Sequence, residues 1–159
     1  MSLENVKKYL SQFGMEDRVQ EFSVSSATVE LAAAALGVDG ARIAKTLSFA
    51  KKDGGCLLIV CAGDQKIDNR SFKDRFGFKA RMLSPDEAIE MTGHAVGGVC
   101  PFDLPVGVDV YLDVSLKRFE TVFPAAGSSN SAVEMSCDEL FRASGALSWE
   151  TLCKPREQQ

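Results

Sequence analysis

Apolar positions fall along this chain in two alternating rhythms. Leu3, Val6, Leu10 and Phe13 recur at helical spacing and Gly14 follows as a stop, which predicts an N-terminal helix. An alanine-rich helix is predicted over 28–36, punctuated by Gly37. Asp39 can cap a short helix running through Ala44, after which 45–49 alternates as a strand, so Lys45 is expected at a helix-to-strand junction. The stretch 51–55 reads as a hairpin turn, and 56–61 is a continuous apolar run suited to a central buried strand. Asp68 caps a helix that points Phe72 and Phe76 inward and ends at Gly77. Phe78, Ala80 and Met82 then alternate with Lys79 and Arg81, predicting a strand with one basic face.

Ser84-Pro85-Asp86-Glu87 is a capping box with proline in the first helical position, opening a helix that stops at Gly93. Strands are predicted around Val108, Val110 and Leu112, over 121–123, and over 132–135 after a turn at Gly127-Ser128-Ser129-Asn130. Ser136-Cys137-Asp138-Glu139 is a second capping box, for a helix ending near Gly145, and 154–159 is expected to fray. Helices and strands mix without strict alternation, so the class is α+β, in one domain over 1–159.

Charge and cysteine usage narrow the chemistry. No apolar run approaches the roughly 20 residues that span a bilayer, and the N-terminus lacks the basic and apolar regions of a secretory signal. A cytoplasmic protein with no membrane partner is expected. Five scattered cysteines without a C-x-x-C pair, and a single histidine, argue against a disulfide framework or a zinc site; neither metal nor cofactor is expected. The net charge of −4 hides a basic stretch from Lys66 to Arg81, with six bases against two acids. Arg70, Lys73, Lys79 and Arg81 are therefore candidate phosphate contacts, the alternative being an ordinary solvated face.

Four features could carry chemistry. The run from Gly93 to Phe102 sets Gly97 and Gly98 side by side, so the backbone there could offer N–H groups to an oxyanion, or simply bend. Lys45, leading into an apolar strand, could hold a phosphate or polarise a carbonyl, or snorkel to solvent. Gly127 and Ser128 sit where a strand-entry turn could bind ribose or phosphate. His94 and Cys100 form a candidate dyad without a third orienting group, and Asp64 reads as a turn residue.

In order and spacing, these pieces resemble the YbaK/EbsC family and the insertion domain of bacterial prolyl-tRNA synthetases. The matching positions are Thr28-Val29, Ala35-Leu36-Gly37-Val38, Ile43-Ala44-Lys45-Thr46-Leu47, Leu58-Ile59-Val60, Gly63-Asp64 and Thr92-Gly93. Gly97-Gly98-Val99-Cys100-Pro101-Phe102, Asp113 and Ala125-Ala126-Gly127-Ser128 complete the set. The resemblance implies a mixed, mostly antiparallel sheet curled into a partial barrel with surrounding helices. It also implies hydrolysis of an amino acid wrongly esterified to tRNA, often that for proline, with aminoacyl-tRNA and a prolyl-tRNA synthetase as partners. Lys45 is then the residue tied to activity and Gly97 and Gly98 hold the aminoacyl carbonyl. Thr46, Pro101, Gly127 and Ser128 would line the substrate pocket. Two other functions fit less well: a binding module of this fold that recognises tRNA ends or a small ligand without turnover, and a thiol enzyme using Cys100.

Overall fold

A computed structural model describes residues 2–157. Six strands form the main sheet in the order β8 (Met135–Ser136), β6 (Thr121–Pro124), β2 (Ile43–Ala50), β3 (Cys56–Ala62), β5 (Asp109–Asp113) and β9 (Ser148–Glu150). The pairs β2–β3 and β6–β8 are antiparallel, while β2–β6, β3–β5 and β5–β9 are parallel. Two short antiparallel ladders flank it, β1 (Val19–Glu21) with β7 (Ser131–Val133) and β4 (Gln65–Ile67) with β10 (Cys153–Pro155). The result is the mixed α+β architecture anticipated, a sheet curled into a half-barrel with, among the described residues, five α-helices around it.

β3 is buried along its whole length, as a strand paired on both sides and covered on both faces must be. Its even-numbered residues Leu58, Val60 and Ala62 enter a core closed by Val6 and Leu10 of α1 (Ser2–Ser11) and Leu140 of α5 (Cys137–Ser144). Its odd residues Leu57 and Ile59 face a second core with Phe49, Tyr111 and Phe72 of α3 (Asn69–Phe76). Phe72 lies 5.1 Å from the ring of Phe49 and 4.7 Å from that of Phe76, within the range of favourable aromatic pairs.

Helix ends are set by local chemistry. Thr28 caps α2 (Val29–Leu36), Asp68 caps α3, and both predicted capping boxes are complete, Ser84 with Glu87 on α4 (Pro85–Thr92) and Ser136 with Glu139 on α5. At Gly63, between β3 and β4, an added Cβ would lie 2.1 Å from the Gly40 carbonyl oxygen. Only glycine permits that approach.

Three local expectations are corrected. The Asp39-capped turn is Gly40–Arg42 only, and Ala44 is already in β2, paired with Ala62 and Pro124, so Lys45 lies within the strand. The stretch from Phe78 to Met82 is no strand. It runs along the outer edge of β2 through one bridge, Phe49 to Met82, and Phe78 joins the aromatic cluster 5.6 Å from Phe72. Finally, the C-terminal segment is not frayed where it is described: Cys153–Pro155 is β10, and Arg156 N–H donates to the Asp64 carbonyl at 2.8 Å. The buried Asp113 fixes this segment by accepting the Leu152 amide at 2.8 Å. Gln158 and Gln159 lie outside the described residues.

Candidate functional site

β2 is the strand that builds the site, because its outer edge is only partly covered. Pairing with β6 stops at Ala44. Further on, Ser48 accepts the Leu83 amide at 3.1 Å and Ala50 donates to Arg81 at 2.9 Å. Main-chain groups alternate from one side of a strand to the other, so Thr46, between Ala44 and Ser48, turns its N–H and C=O outward. It sits in the gap between the two stretches of pairing.

A cavity of about 290 Å³ opens at this gap. Ile43, Phe123, Ala125, Leu83 and Ala88 form its apolar wall; Thr46, Ser48, Ser26 and Ser131 bring hydroxyls. The Thr46 Oγ1 is buried and, among the described residues, is the only buried side-chain oxygen or nitrogen without a hydrogen-bond partner. Met82 and Val96 line the cavity and are 56% and 62% exposed, so apolar surface marks its mouth.

Lys45 and Gly97 also line this cavity. Lys45 lies one residue from Thr46, so its side chain leaves the opposite face of β2, the face of Leu47 and Phe49. Its ammonium donates to the main-chain carbonyl of Gln65. Within the β4–β10 ladder the bonded positions are Asp64 with Arg156 and Asp68 with Leu152. Gln65 and Pro155, opposite each other, fall between them. That placement costs nothing for a proline that lacks an N–H, and it leaves the Gln65 oxygen turned away from β10. Burial pushes the Lys45 ammonium below the ordinary lysine value, an effect that Cys61 and Asp64 oppose and Arg156 reinforces.

The glycine loop is placed by close approach. Gly97 has φ of +91°, and a Cβ there would lie 3.0 Å from the Ala27 Cβ. At Gly98 it would meet Ser128 Cα at 2.8 Å and the Gly127 carbonyl carbon at 2.9 Å. The absence of a side chain at Gly98 thus lets the loop dock on the Gly127-Ser128 turn. The Gly98 N–H donates to Ala95 at 2.9 Å. It is committed within its own turn, so the expected pair of oxyanion donors at Gly97 and Gly98 reduces to Gly97.

The remaining expected pocket residues are second to the cavity. Pro101 is buried and off its wall. Gly127 (φ +94°) packs on Ser2 and Val6 of α1, and the Ser128 hydroxyl bonds Ser131 at 2.8 Å and Asn130 at 2.9 Å. Ser128 therefore steadies the wall residue Ser131 and does not reach the cavity itself. Asp64 pairs with Arg118 at 2.6 Å, which holds its carboxyl below the usual range.

The candidate thiol dyad is inert. His94 is 2% exposed, and its Nε2 lies 2.8 Å from the Phe102 carbonyl, which can only accept, so Nε2 carries the proton. Nδ1 accepts from the Ser2 hydroxyl. The Cys100 sulfur, 3.5 Å from Nε2, thus meets a donor and finds no base, and burial pushes its thiol up to about 12. His94 ties the loop to α1.

Of the basic residues, Arg70, Lys73 and Lys79 are exposed and form no ion pair among the described residues, whereas Arg81 pairs with Glu87 at 3.3 Å. Arg81 adjoins Met82 at the cavity mouth. Sequence reasoning missed Ser48, although it stands two positions after Thr46 on the same face of an alternating strand. It also missed Gln65, for which a lone polar residue after Gly63-Asp64 gives no signal. Among the described residues no cluster of ligands could hold a metal ion, and no helix is long and apolar enough to cross a membrane.

Comparison with known proteins agrees with this geometry. The model of the aminoacyl-tRNA editing domain matches residues 24–143. A Bacillus subtilis protein of uncharacterised function, YwhH, is 55% identical over 99% of this chain and 100% of its own. EbsC of Enterococcus faecalis, described as a candidate Cys-tRNA(Pro)/Cys-tRNA(Cys) deacylase, is 24% identical over 86% of this chain and 85% of its own. The crystal structure of a candidate trans-editing enzyme for prolyl tRNA synthetase superposes with a TM-score of 0.86 at 28% identity, covering 96% of this chain and 97% of that one. The stretch matched by the family model runs from the loop between β1 and α2 to Ala143 in the last turn of α5 and takes in every wall of the cavity, and on this ground the chain belongs to the aminoacyl-tRNA editing domain family.

Proposed function

We propose that this protein is a trans-editing hydrolase, which removes a small amino acid wrongly esterified to tRNA, with tRNA for proline as its main substrate. The observation that carries the reading is the cavity at the β2 gap. It is small, mostly apolar, and lined by the outward main chain of Thr46, by Lys45 and by Gly97.

An aminoacyl ester is already activated, so positioning and charge stabilisation supply much of the acceleration. The wrong side chain enters the cavity, and the ester carbonyl oxygen meets the amides of Gly97 and Thr46. Lys45 releases the Gln65 carbonyl to hold the terminal ribose or phosphate, and a water, oriented by the substrate's 2′-hydroxyl, attacks the carbonyl carbon. The tetrahedral intermediate collapses with the ribose oxygen leaving, giving free amino acid and uncharged tRNA. Gly98, Pro101, Gly127 and Ser128 act behind this wall as its support. Arg70, Lys73, Lys79 and Arg81 meet the acceptor stem near the mouth, and the acidic chain as a whole keeps that affinity modest. A prolyl-tRNA synthetase, whose own pocket separates small apolar side chains by only ~1–3 kcal/mol, supplies the mischarged tRNA in the cytoplasm.

The test is turnover by purified protein of tRNA for proline carrying a small wrong amino acid. Release of the amino acid at catalytic protein concentration supports the reading. Binding of the charged tRNA without release would make the protein a recognition module instead.

A further inference from the structure

We infer that Ser2 and His94 act as one positioning unit for the hydrolysis, the bond between them holding the Gly97 amide where the ester carbonyl oxygen must meet it. The inference rests on the hydrolase reading above and adds two positioning residues to that same site.

His94 is buried, yet both of its ring nitrogens are engaged. Nε2–H donates to the Phe102 carbonyl at 2.8 Å, and Nδ1 accepts from the Ser2 hydroxyl. The first bond joins the two ends of the loop 94–102, and the second ties that loop to the first residue of α1. The His94 N–H donates to Thr92 Oγ1 at 3.1 Å, so the backbone of the residue is fixed as well. Ser2 also supports the neighbouring turn. Its carbonyl oxygen and its hydroxyl would each lie 2.9 Å from a Cβ at Gly127. The next residue, Ser128, is where the Gly98 backbone docks. The N-terminus of α1, the glycine loop and the Gly127-Ser128 turn thus meet at one serine.

Gly97 sits between these anchors. It has φ of +91°, packs on Ala27 and lines the cavity, and its N–H donates to no group among the described residues. Nothing bonded to that amide sets its direction, so its direction depends on where the loop is held. A buried polar network with every member satisfied specifies a single arrangement. Misplacing a reacting geometry by about 1 Å costs about 100-fold in rate. α1 precedes the stretch 24–143 matched by the family model, so this support comes from a part of the chain which that model does not cover.

The experiment measures kcat and KM on tRNA for proline carrying serine, cysteine, threonine or alanine, whichever the wild type releases fastest. The full chain is compared with Ser2→Ala, His94→Gln and the double variant. Each single variant should lose about tenfold or more in kcat, with KM within about twofold of wild type. The double variant should lose no more than the worse single one, because the two side chains make one bond. An unchanged kcat, a loss carried by KM alone, or losses that multiply in the double variant overturn the positioning role and leave the hydrolase reading intact. Should His94→Gln fail to fold, Ser2→Ala carries the kcat test and nitrogen-15 NMR of the wild-type ring tests the bond. The ring should show its proton on Nε2 and none on Nδ1; a proton on Nδ1 in the neutral ring overturns the inference. No release by wild type from any of these tRNAs overturns the hydrolase reading, and this inference with it.

Discussion

Lys45 on β2 donates through its ammonium to the main-chain carbonyl of Gln65 on β4, an oxygen that the β4–β10 ladder leaves outside its own hydrogen bonds. A fixed, partly desolvated cation is thereby held beside the cavity by a neutral acceptor, which it can leave for an anionic or ribose oxygen at little electrostatic cost. Lys45→Ala should lower the deacylation rate by about 100-fold or more, with the melting temperature monitored to separate catalysis from folding. Since burial sets the Lys45 pKa below 10.5, the charged form is lost as pH rises through that lowered value. The enzyme-dependent rate should fall on the alkaline side earlier than an exposed lysine would dictate. Lys45→Arg, always charged, should remove that limb if it retains activity.

The unpartnered Thr46 hydroxyl predicts a gain in stability when it is removed. Thr46→Val removes a buried oxygen that has no hydrogen bond to lose. The variant should be more stable by about 1 kcal/mol, a rise of ~2–4 °C in melting temperature for a chain of this size. Calorimetry on the two proteins side by side checks it.

Gly98 is required by contact with backbone, which cannot move aside as a flexible side chain can. Gly98→Ala would set a Cβ 2.8 Å from both Ser128 Cα and Ser128 N. It should cost about 2 kcal/mol or more in denaturant unfolding and should lower deacylation by displacing Gly97.

Cys100→Ala should leave deacylation unchanged. The thiol is buried, protonated and faces the donating nitrogen of His94. Its loss should appear as about 1 kcal/mol of stability from the small cavity left behind.

Acid sensitivity should be traceable to α5. Arg18, first, and the Ser136 amide of the capping box hold Glu139 down to about 2. A depressed carboxyl contributes stability that is fully present above its unfolded value, near 4.5, and is lost as pH falls toward 2. Glu139→Gln should therefore be less stable than wild type at neutral pH by about 1–2 kcal/mol, allowing for partial exposure. The two should converge in melts near pH 2.

What the chain declared in advance was its short-range chemistry. Thr28, Asp68, Ser84 and Ser136 announce their helices because a cap needs only the next three residues. The apolar run of β3 announces a central strand for the same reason. β4, β9 and β10 stayed hidden because each is three residues long and gains its order from a distant partner, Pro155 for Gln65 and Asp113 for Glu150. The alternation of Phe78, Ala80 and Met82 misled for a related reason. Phe78 and Ala80 pack on the second core, but among the described residues β2 gives that segment a single main-chain bond, from Ala50 to Arg81, before the one at Leu83. At the site, Lys45 and the two glycines were legible as unusual residues. The direction of the lysine ammonium was not, because Gln65 sets it from 20 residues away. Nor could the sequence show that Ala95 already occupies the Gly98 amide.

The most direct measurement is single-turnover deacylation of tRNA for proline, charged in turn with serine, cysteine, threonine, alanine and proline, by wild type and Lys45→Ala. Wild type should release one or more small wrong amino acids and leave prolyl-tRNA intact, and the variant should fall to near-background rates. Release of none of them by wild type, or equal rates for the two proteins, would contradict it.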